Sequence, residues 1–266
     1  MLPDSDTARL DLEVMLAAVL EKDRTYLYTW PERSLSVDQL DSFGAMVARR
    51  RQGEPVAHII GVREFWSLPL QVNNTTLIPR PDTELLVEAV LDKFSSHTSL
   101  TLLDLGTGTG AIALALAKES PGWEIFASDI SPEACALAAT NKKKCRIDNV
   151  KIFCGRWLTA IAGSVRFDVI VSNPPYIREN DAHLNKGDVR FEPRSALVSA
   201  CEGLADIETI LRESAAHLRP GGWLLLEHGY DQQESVQNLF ASFGYESIET
   251  LNDYAGNPRV TLGVLH

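Results

Sequence analysis

The spacing of apolar positions changes character along this chain. Over the first 60 residues it is helical. Leu12, Met15, Leu16 and Val19 recur at i, i+3, i+4 and i+7, which draws one apolar stripe along a helix. Ser36-Val37-Asp38-Gln39 has the form of a capping box, so it opens another helix with Leu40, Phe43 and Val47 on one face and Gly53 beyond its end. A short helix around residues 26–30 stops at Pro31. Small helices of this pattern pack as a bundle.

Between Arg63 and Val72 the pattern alternates and carries aromatic and branched residues, which reads as a hairpin or extended linker, with Pro69 confining it to an edge. From residue 84 onward apolar runs interleave with helical patterns. Strands are expected at 100–105, 123–128, 150–153, 167–172, 223–226, 247–251 and 260–265. Helices are expected at 111–118, 132–144, 206–218 and 232–242. Strands that are apolar throughout are covered on both faces, so the expected fold class is α/β: a doubly wound, mostly parallel sheet. The expected organisation is a small helical bundle at residues 1–61, a β-hairpin linker at 62–80 and the α/β unit at 81–266. There are no internal repeats.

Composition narrows the possibilities further. The 266 residues are 45% hydrophobic and 23% charged, an ordinary globular balance. The apolar run from Leu12 to Leu20 is broken by Glu13 and is far too short for a membrane span, and the acidic start of the chain does not resemble a secretory signal. Cys135, Cys145, Cys154 and Cys201 form no CxxC pair, which suits reduced thiols in a cytoplasmic protein. The six histidines form no HExxH or HxH pattern, so no metal site is expected. The net charge of −11, from 36 acidic and 25 basic residues, repels a phosphate backbone. The one basic cluster, Lys142-Lys143-Lys144 with Arg146, sits at an expected helix end, where it complements the helix dipole.

Two stretches carry candidate chemistry. In Asp104-Leu105-Gly106-Thr107-Gly108-Thr109-Gly110, glycines between a strand and a helix let the backbone turn sharply and approach a ligand closely. Gly106, Gly108 and Ala111 also satisfy a dinucleotide fingerprint, and Asp129 at the end of the next strand suits ribose hydroxyls in either reading. Asp104 speaks against a pyrophosphate, because a carboxylate there favours the cationic amino and sulfonium groups of S-adenosylmethionine.

The second stretch is Asn173-Pro174-Pro175-Tyr176, directly after the expected strand at 167–172. Consecutive prolines remove two backbone donors, leaving the Asn173 side-chain oxygen and the Pro174 carbonyl as acceptors and Tyr176 as a flat face. Two acceptors at a sheet edge match a planar NH2 group. Accepting both N–H bonds favours pyramidalisation and aims the nitrogen lone pair at a methyl donor. A glutamine amide and a nucleic-acid adenine both present such a group. The adenine reading needs a basic target-recognition region, which is missing here. A non-catalytic interaction module would have an eroded turn, and a nicotinamide-dependent oxidoreductase does not need one.

With these motifs in place, the chain resembles the PrmC (HemK) family of glutamine methyltransferases acting on peptide chain release factors. The resemblance rests on GEPVAHIIGVREFWSLPL, TLIPRPDTELL, LDLGTGTGAIALALA, VSNPPY, GDVRFEPRSAL and LLLEHG and spans nearly the whole chain. It implies S-adenosyl-L-methionine as cofactor, S-adenosyl-L-homocysteine as product, a release factor as partner, and a monomer that uses neither nucleic acid nor membrane. It implies substrate recognition by residues 1–61. It further implies that Asp104, Gly106, Thr107, Gly108, Thr109, Gly110, Asp129, Trp157 and Asn173 hold the cofactor, with Trp157 against the adenine. Asn173, Pro174, Pro175 and Tyr176 would hold the glutamine amide, with Arg80, Glu84, Phe191 and Glu192 bordering the substrate pocket. For Trp157 and Phe191, core packing is the plain alternative. One departure is visible: the family usually has an acid before the Trp157 position, whereas Arg156 stands here, so weaker cofactor affinity is expected.

Overall fold

The computed structural model describes residues 7–266; the first six residues of the expected bundle lie outside the described residues. Among the described residues the N-terminal part holds four helices: α1 (Ala8–Leu20), α2 (Arg24–Thr29), α3 (Val37–Arg51) and α4 (Val56–Ile60). The Ser36 capping box forms as its sequence predicts. Ser36 Oγ accepts from the Gln39 N–H at 3.2 Å, and Gln39 Oε1 accepts from the Ser36 N–H at 3.0 Å.

The expected apolar face of α3 forms only in part. Phe43 and Val47 are half-buried, Leu40 is exposed, and α3 has no buried residue. Four short helices cannot enclose every stripe, so Met15, Ala17, Pro55 and Ile59 are the buried apolar residues among those described in this unit. Polar contacts carry much of its junction with the rest of the chain. Arg50 Nε pairs with Asp11 at 2.9 Å, while its Nη1 reaches Asp188 at 3.1 Å.

The hairpin pairs β1 (Val62–Phe65) with β2 (Leu68–Gln71) in antiparallel register, with Pro69 opposite Glu64. The two turn residues, Trp66 and Ser67, have φ of 51° and 55°, a left-handed pair that matches the twist of a tight hairpin. Asn141, fully buried on α7 (Pro132–Lys144), accepts from the Gln71 N–H at 2.7 Å. Its NH2 donates to the carbonyls of Gln71 and Thr109, which ties the hairpin to the glycine loop.

The α/β unit runs α5 (Glu84–Phe94), β3 (Thr101–Leu105), α6 (Ala111–Glu119), β4 (Glu124–Asp129), α7, β5 (Val150–Cys154) and β6 (Phe167–Ser172). It continues through α8 (Ala200–Gly203), α9 (Ala205–Ser214), β7 (Leu218–Glu227), α10 (Gln233–Ser242), β8 (Glu246–Asn252) and β9 (Pro258–Leu265). Its seven-stranded sheet has the order β5-β4-β3-β6-β7-β9-β8; the pairings are parallel except for β7–β9 and β8–β9. The expected mostly parallel sheet is therefore present.

The helix expected over 206–218 instead ends at Ser214, and β7 starts early at Leu218. Pairing begins at Phe167–Leu218 and resumes at Val169–Trp223, because the Pro220-Gly221 bend, with Gly221 at φ 77°, bulges out between them.

Strand alternation sorts the core into two halves. Leu102, Val169, Val171 and Leu225 join α5 and α6 in one apolar cluster, whereas Leu103, Leu105, Ile170, Leu224 and Leu226 join α9 and α10 in the other.

Candidate active site at the switch point of the sheet

The chain leaves β3 outward to β4 and β5, then returns to the other side of β3 as β6. Ligands collect at the carboxyl ends of the strands beside such a reversal. The glycine loop follows β3 there and the Asn-Pro-Pro-Tyr turn follows β6. Ser172 Oγ donates to the Leu105 carbonyl at 2.7 Å, so the two loops leave the sheet locked together. They border one cleft of about 420 Å³.

Gly106, Gly108 and Gly110 have φ of 70°, 56° and 85°, a run that residues with side chains adopt only under strain. Asp129, at the end of β4, accepts from the Gly108 N–H through Oδ2 and from the Ser131 N–H through Oδ1, both at 2.9 Å. It also lines the cleft. Trp157 lines the cleft as well. Its ring lies 3.5 Å from where a Cβ on Gly106 would stand, and its indole N–H donates to Asp206 at 3.2 Å. Trp157 also packs against the second core cluster, as the plain alternative expected.

Asp104 departs from the sequence expectation. It shares the strand face of Leu102, not of Leu105, so it points under α6 and is fully buried outside the cleft lining. Its Oδ2 accepts from the Thr107 hydroxyl at 2.6 Å and from the Ala113 N–H at 3.3 Å, while Oδ1 has no partner. Burial pushes its pKa up to about 7, against the pull of those two donors. Asp104 thus supports the loop from beneath.

In the acceptor turn, Asn173 and Pro175 line the cleft. The Asn173 NH2 donates to Thr83 Oγ1 at 3.1 Å, which engages the nitrogen end of that amide; Thr83 also lines the cleft. Pro174 is buried, and neither it nor Tyr176 lines the cleft. The expected flat face of Tyr176 is turned inward instead. Its ring packs on the second core cluster, its hydroxyl donates to Glu227 Oε1 at 3.2 Å, and its carbonyl accepts from Gln232 at 3.1 Å. The carbonyl also stands where a Cβ on Gly203 would have to go, 2.1 Å away, so a residue with a side chain at 203 would push on the turn. Burial raises the Tyr176 pKa well above that of an ordinary phenol.

The outer residues separate into two groups. Arg80 lines the cleft and pairs with Glu192 at 2.6 Å; Glu192 also accepts from the Ile78 N–H at 2.9 Å. Glu84 and Phe191 do not line it. Glu84, at the start of α5, is spent on the hairpin turn, accepting from the Trp66 N–H at 2.8 Å. Phe191 is half-buried beneath the Arg190 guanidinium. Arg156 is exposed at the cleft wall, where the sequence reading put its departure from the family.

Sequence reasoning missed Thr76, Thr83, Asp206 and Glu227. Glu227 left a signal, an acid closing the apolar run Leu224-Leu225-Leu226. Thr76 and Thr83 belong to segments without periodicity, and Asp206 opens an expected helix, where an acid reads simply as a complement to the helix dipole. Also unforeseen was the approach of two thiols, Cys135 and Cys154, whose sulfurs stand 3.2 Å apart near Asp129.

The donor set fits S-adenosylmethionine. Glycine backbone allows close approach, Asp129 offers carboxylate oxygens, Trp157 and Ile130 offer apolar surface, and the buried Thr76 hydroxyl on the cleft wall has no partner within the protein.

Comparison with known proteins adds a family. Residues 1–61 match the model of the PrmC N-terminal domain, and residues 81–190 match that of the methyltransferase small domain. The release factor glutamine methyltransferase of Vibrio cholerae is 54% identical over 97% of this chain and 90% of its own length. Its namesake in Escherichia coli is 51% identical over 97% of this chain and 93% of its own. Among solved structures, a methyltransferase from Pyrococcus furiosus superposes with a TM-score of 0.56 at 18% identity, covering 83% of this chain and 98% of that one. This likeness speaks to the fold.

Proposed function

This chain belongs to the PrmC family of release factor glutamine methyltransferases, and on that premise we propose that it methylates the side-chain amide nitrogen of the glutamine in the Gly-Gly-Gln motif of peptide chain release factors, tuning translation termination. The methyl donor in this reading is S-adenosyl-L-methionine, which leaves as S-adenosyl-L-homocysteine.

The observation that carries the reading is the hydrogen bond from the Asn173 NH2 to Thr83, beside the glycine loop. With its nitrogen engaged there, Asn173 offers the substrate its oxygen. Although Pro174 does not line the cleft, its carbonyl is the second acceptor that this reading calls on for the two hydrogens of a primary amide. An amide nitrogen is a poor nucleophile because its lone pair is delocalised into the carbonyl. Holding both N–H bonds favours a pyramidal nitrogen with its lone pair freed for in-line attack. When bound, S-adenosylmethionine supplies an electrophilic methyl on sulfur. The proton becomes acidic only once nitrogen carries the methyl, so the site needs no strong base.

Around that centre, the glycine loop and Asp129 bind the methionine and ribose portions, Trp157 flanks the adenine, and Arg80, held by Glu192, borders the glutamine. Residues 1–61 read substrate surface away from the glutamine, residues 62–80 act as linker, and residues 81–266 carry the transfer. The enzyme works as a cytoplasmic monomer without nucleic acid. The −11 charge supports the exclusion of nucleic acid, and no helix among the described residues is long and apolar enough to cross a membrane.

The test supplies labelled S-adenosylmethionine with release factor, with a Gln→Ala version of its Gly-Gly-Gln motif, and with DNA. Label in wild-type release factor alone is the expected result. Label in DNA, or equal label in both release factors, would overturn the reading.

A further inference from the structure

Trp157, on the cleft wall, has a φ of 45°. That is the left-handed region, where the Cβ of a bulky residue crowds the backbone. The stretch Gly155-Arg156-Trp157-Leu158 gives no local reason for the tryptophan to take that conformation, since its glycine stands two positions earlier. Backbone of this kind persists only where surrounding groups hold it, and it gathers at ligand clamps.

The holding groups come from one face of α9. Asp206 and Glu213 stand at i and i+7 of that helix, two turns apart on the same side. Asp206 Oδ1 accepts from the Trp157 indole N–H at 3.2 Å, and Glu213 Oε2 accepts from the Leu158 N–H at 3.2 Å. One acid grips the side chain of the strained residue; the other grips the backbone just after it. Ile207, Ile210 and Leu211 anchor α9 in the second core cluster, on which Trp157 also packs, so the grip has a firm base.

Asp206 is itself held. Its Oδ2 accepts from the Ser199 hydroxyl at 2.7 Å, and its N–H donates to Ser199 Oγ at 3.0 Å, with Ser199 buried. These reciprocal bonds orient the carboxylate and leave Oδ1 to receive the indole. Asp206 lines the cleft, whereas Glu213 does not.

On the functional reading above, in which Trp157 flanks the adenine of the methyl donor, we propose that Asp206 and Glu213 are positioning residues for the cofactor: together they clamp Trp157 in its left-handed conformation, so that the adenine wall is formed before the cofactor arrives.

The clamp acts by pre-organisation. Without it, residue 157 relaxes toward an ordinary backbone conformation and its ring leaves the wall. Cofactor then binds only the fraction of molecules in which the wall is restored, and the apparent affinity falls by that fraction.

The experiment titrates S-adenosylmethionine calorimetrically into wild type, W157A, W157F, D206A, D206N, E213A and D206A/W157F, with KM and kcat for methylation measured alongside. W157A binding as tightly as wild type would strike the adenine reading of Trp157, and the clamp with it; the other arms test the clamp alone. D206A and E213A are each expected to raise Kd on the order of 10-fold, the effect of one hydrogen bond to a charged group. D206N keeps a carbonyl oxygen for the indole and should restore most of the affinity. The loss should fall on KM for the cofactor more than on kcat, because saturating cofactor refills the wall. W157F keeps a ring but has no N–H, so it should weaken binding as D206A does. D206A/W157F should then bind no more weakly than W157F alone, since Asp206 acts through the indole. A double variant weaker than W157F would mean that Asp206 touches the cofactor directly, and equal losses in D206A and D206N would mean that the indole bond is not what matters; either result overturns the proposal. Wild-type affinity in E213A overturns the clamp on the backbone side. If D206A does not fold, E213A and the comparison of D206N with W157F decide it on the same readout.

Discussion

Arg80 and Glu192 meet at 2.6 Å across 112 residues of sequence, and the Glu192 carboxylate is fully enclosed while it also holds the Ile78 N–H. The pair closes the segment preceding α5 against the segment at 187–193, so one wall of the cleft depends on it. Burial raises the Glu192 pKa although Arg80 opposes the rise, so the contact is held more by enclosure and hydrogen bonding than by charge alone. Glu192→Ala leaves a buried N–H and the inner side of Arg80 without partners. A loss of about 1–3 kcal/mol in unfolding free energy is expected, together with a raised KM for release factor. Urea denaturation checks the first. Unchanged stability would show that Arg80 and Ile78 find other partners.

The far side of that same segment is held by the helical unit. Arg50 bridges Asp11 and Asp188, and the Arg190 guanidinium donates to the Gln52 carbonyl at 3.1 Å, where it fills the space over Gly53. Gly53→Ala would place a Cβ 1.7 Å from that guanidinium, at a backbone φ of 87°. It should displace Arg190 and loosen residues 187–193, seen as faster amide exchange there than in wild type. Identical exchange in that segment would show that the helical unit does not brace it.

Asp129 accepts two backbone N–H bonds at the cleft edge, from Gly108 and Ser131. Asp129→Ala removes the loop anchor together with the carboxylate offered to the ribose. A hydrogen bond to a charged group contributes about 1.5–3 kcal/mol, so Kd for S-adenosylmethionine should rise roughly 10- to 100-fold by calorimetric titration. An unchanged Kd would remove Asp129 from the cofactor site.

Most elements of the α/β unit were legible because each buries a continuous apolar strand or a capped helix. Ser131 caps α7 and Pro132 starts it, so that helix was readable to the residue. The two chemical loops were equally visible, because glycine and proline leave unmistakable marks. What was hidden follows from side-chain direction and long-range pairing. Asp104 was assigned to the ligand by its distance from Gly106, although period-two alternation from Leu102 already turned it under α6. Thr83 and Asn173, 90 residues apart, are brought together only when the segment before α5 meets the end of β6. The face of α3 was overread because a helical stripe states what is available for burial, not how much neighbouring surface exists to cover it.

Arg156 lines the cleft where the family usually has an acid, and Arg156→Asp restores an acceptor there. If that acceptor serves the adenine amino group, calorimetric titration should show S-adenosylmethionine binding tighter by about fivefold to tenfold, the value of one added hydrogen bond. No tightening would mean that Arg156 is only a surface residue.

Asp104 gives a pH dependence of defined sign. Its pKa is about 7 in the folded protein, raised by burial, against 3.8 for the free side chain. The folded state therefore holds this proton more tightly than the unfolded state does. Its stabilising contribution is fully present below about pH 4 and is lost as pH rises through 7. Glu227, also raised to about 7 by burial, adds a dependence of the same sign, so wild-type stability alone does not separate them. Asp104→Asn does, because the amide stays neutral throughout while Glu227 is unchanged. The difference in Tm between variant and wild type should shift in favour of the variant between pH 5 and pH 8. Scanning calorimetry at both values reads that shift directly. Parallel curves would place the Asp104 pKa in the ordinary carboxylate range, with the anion paid for by Thr107 and Ala113; a shift in the predicted sense establishes that a neutral acid supports the glycine loop.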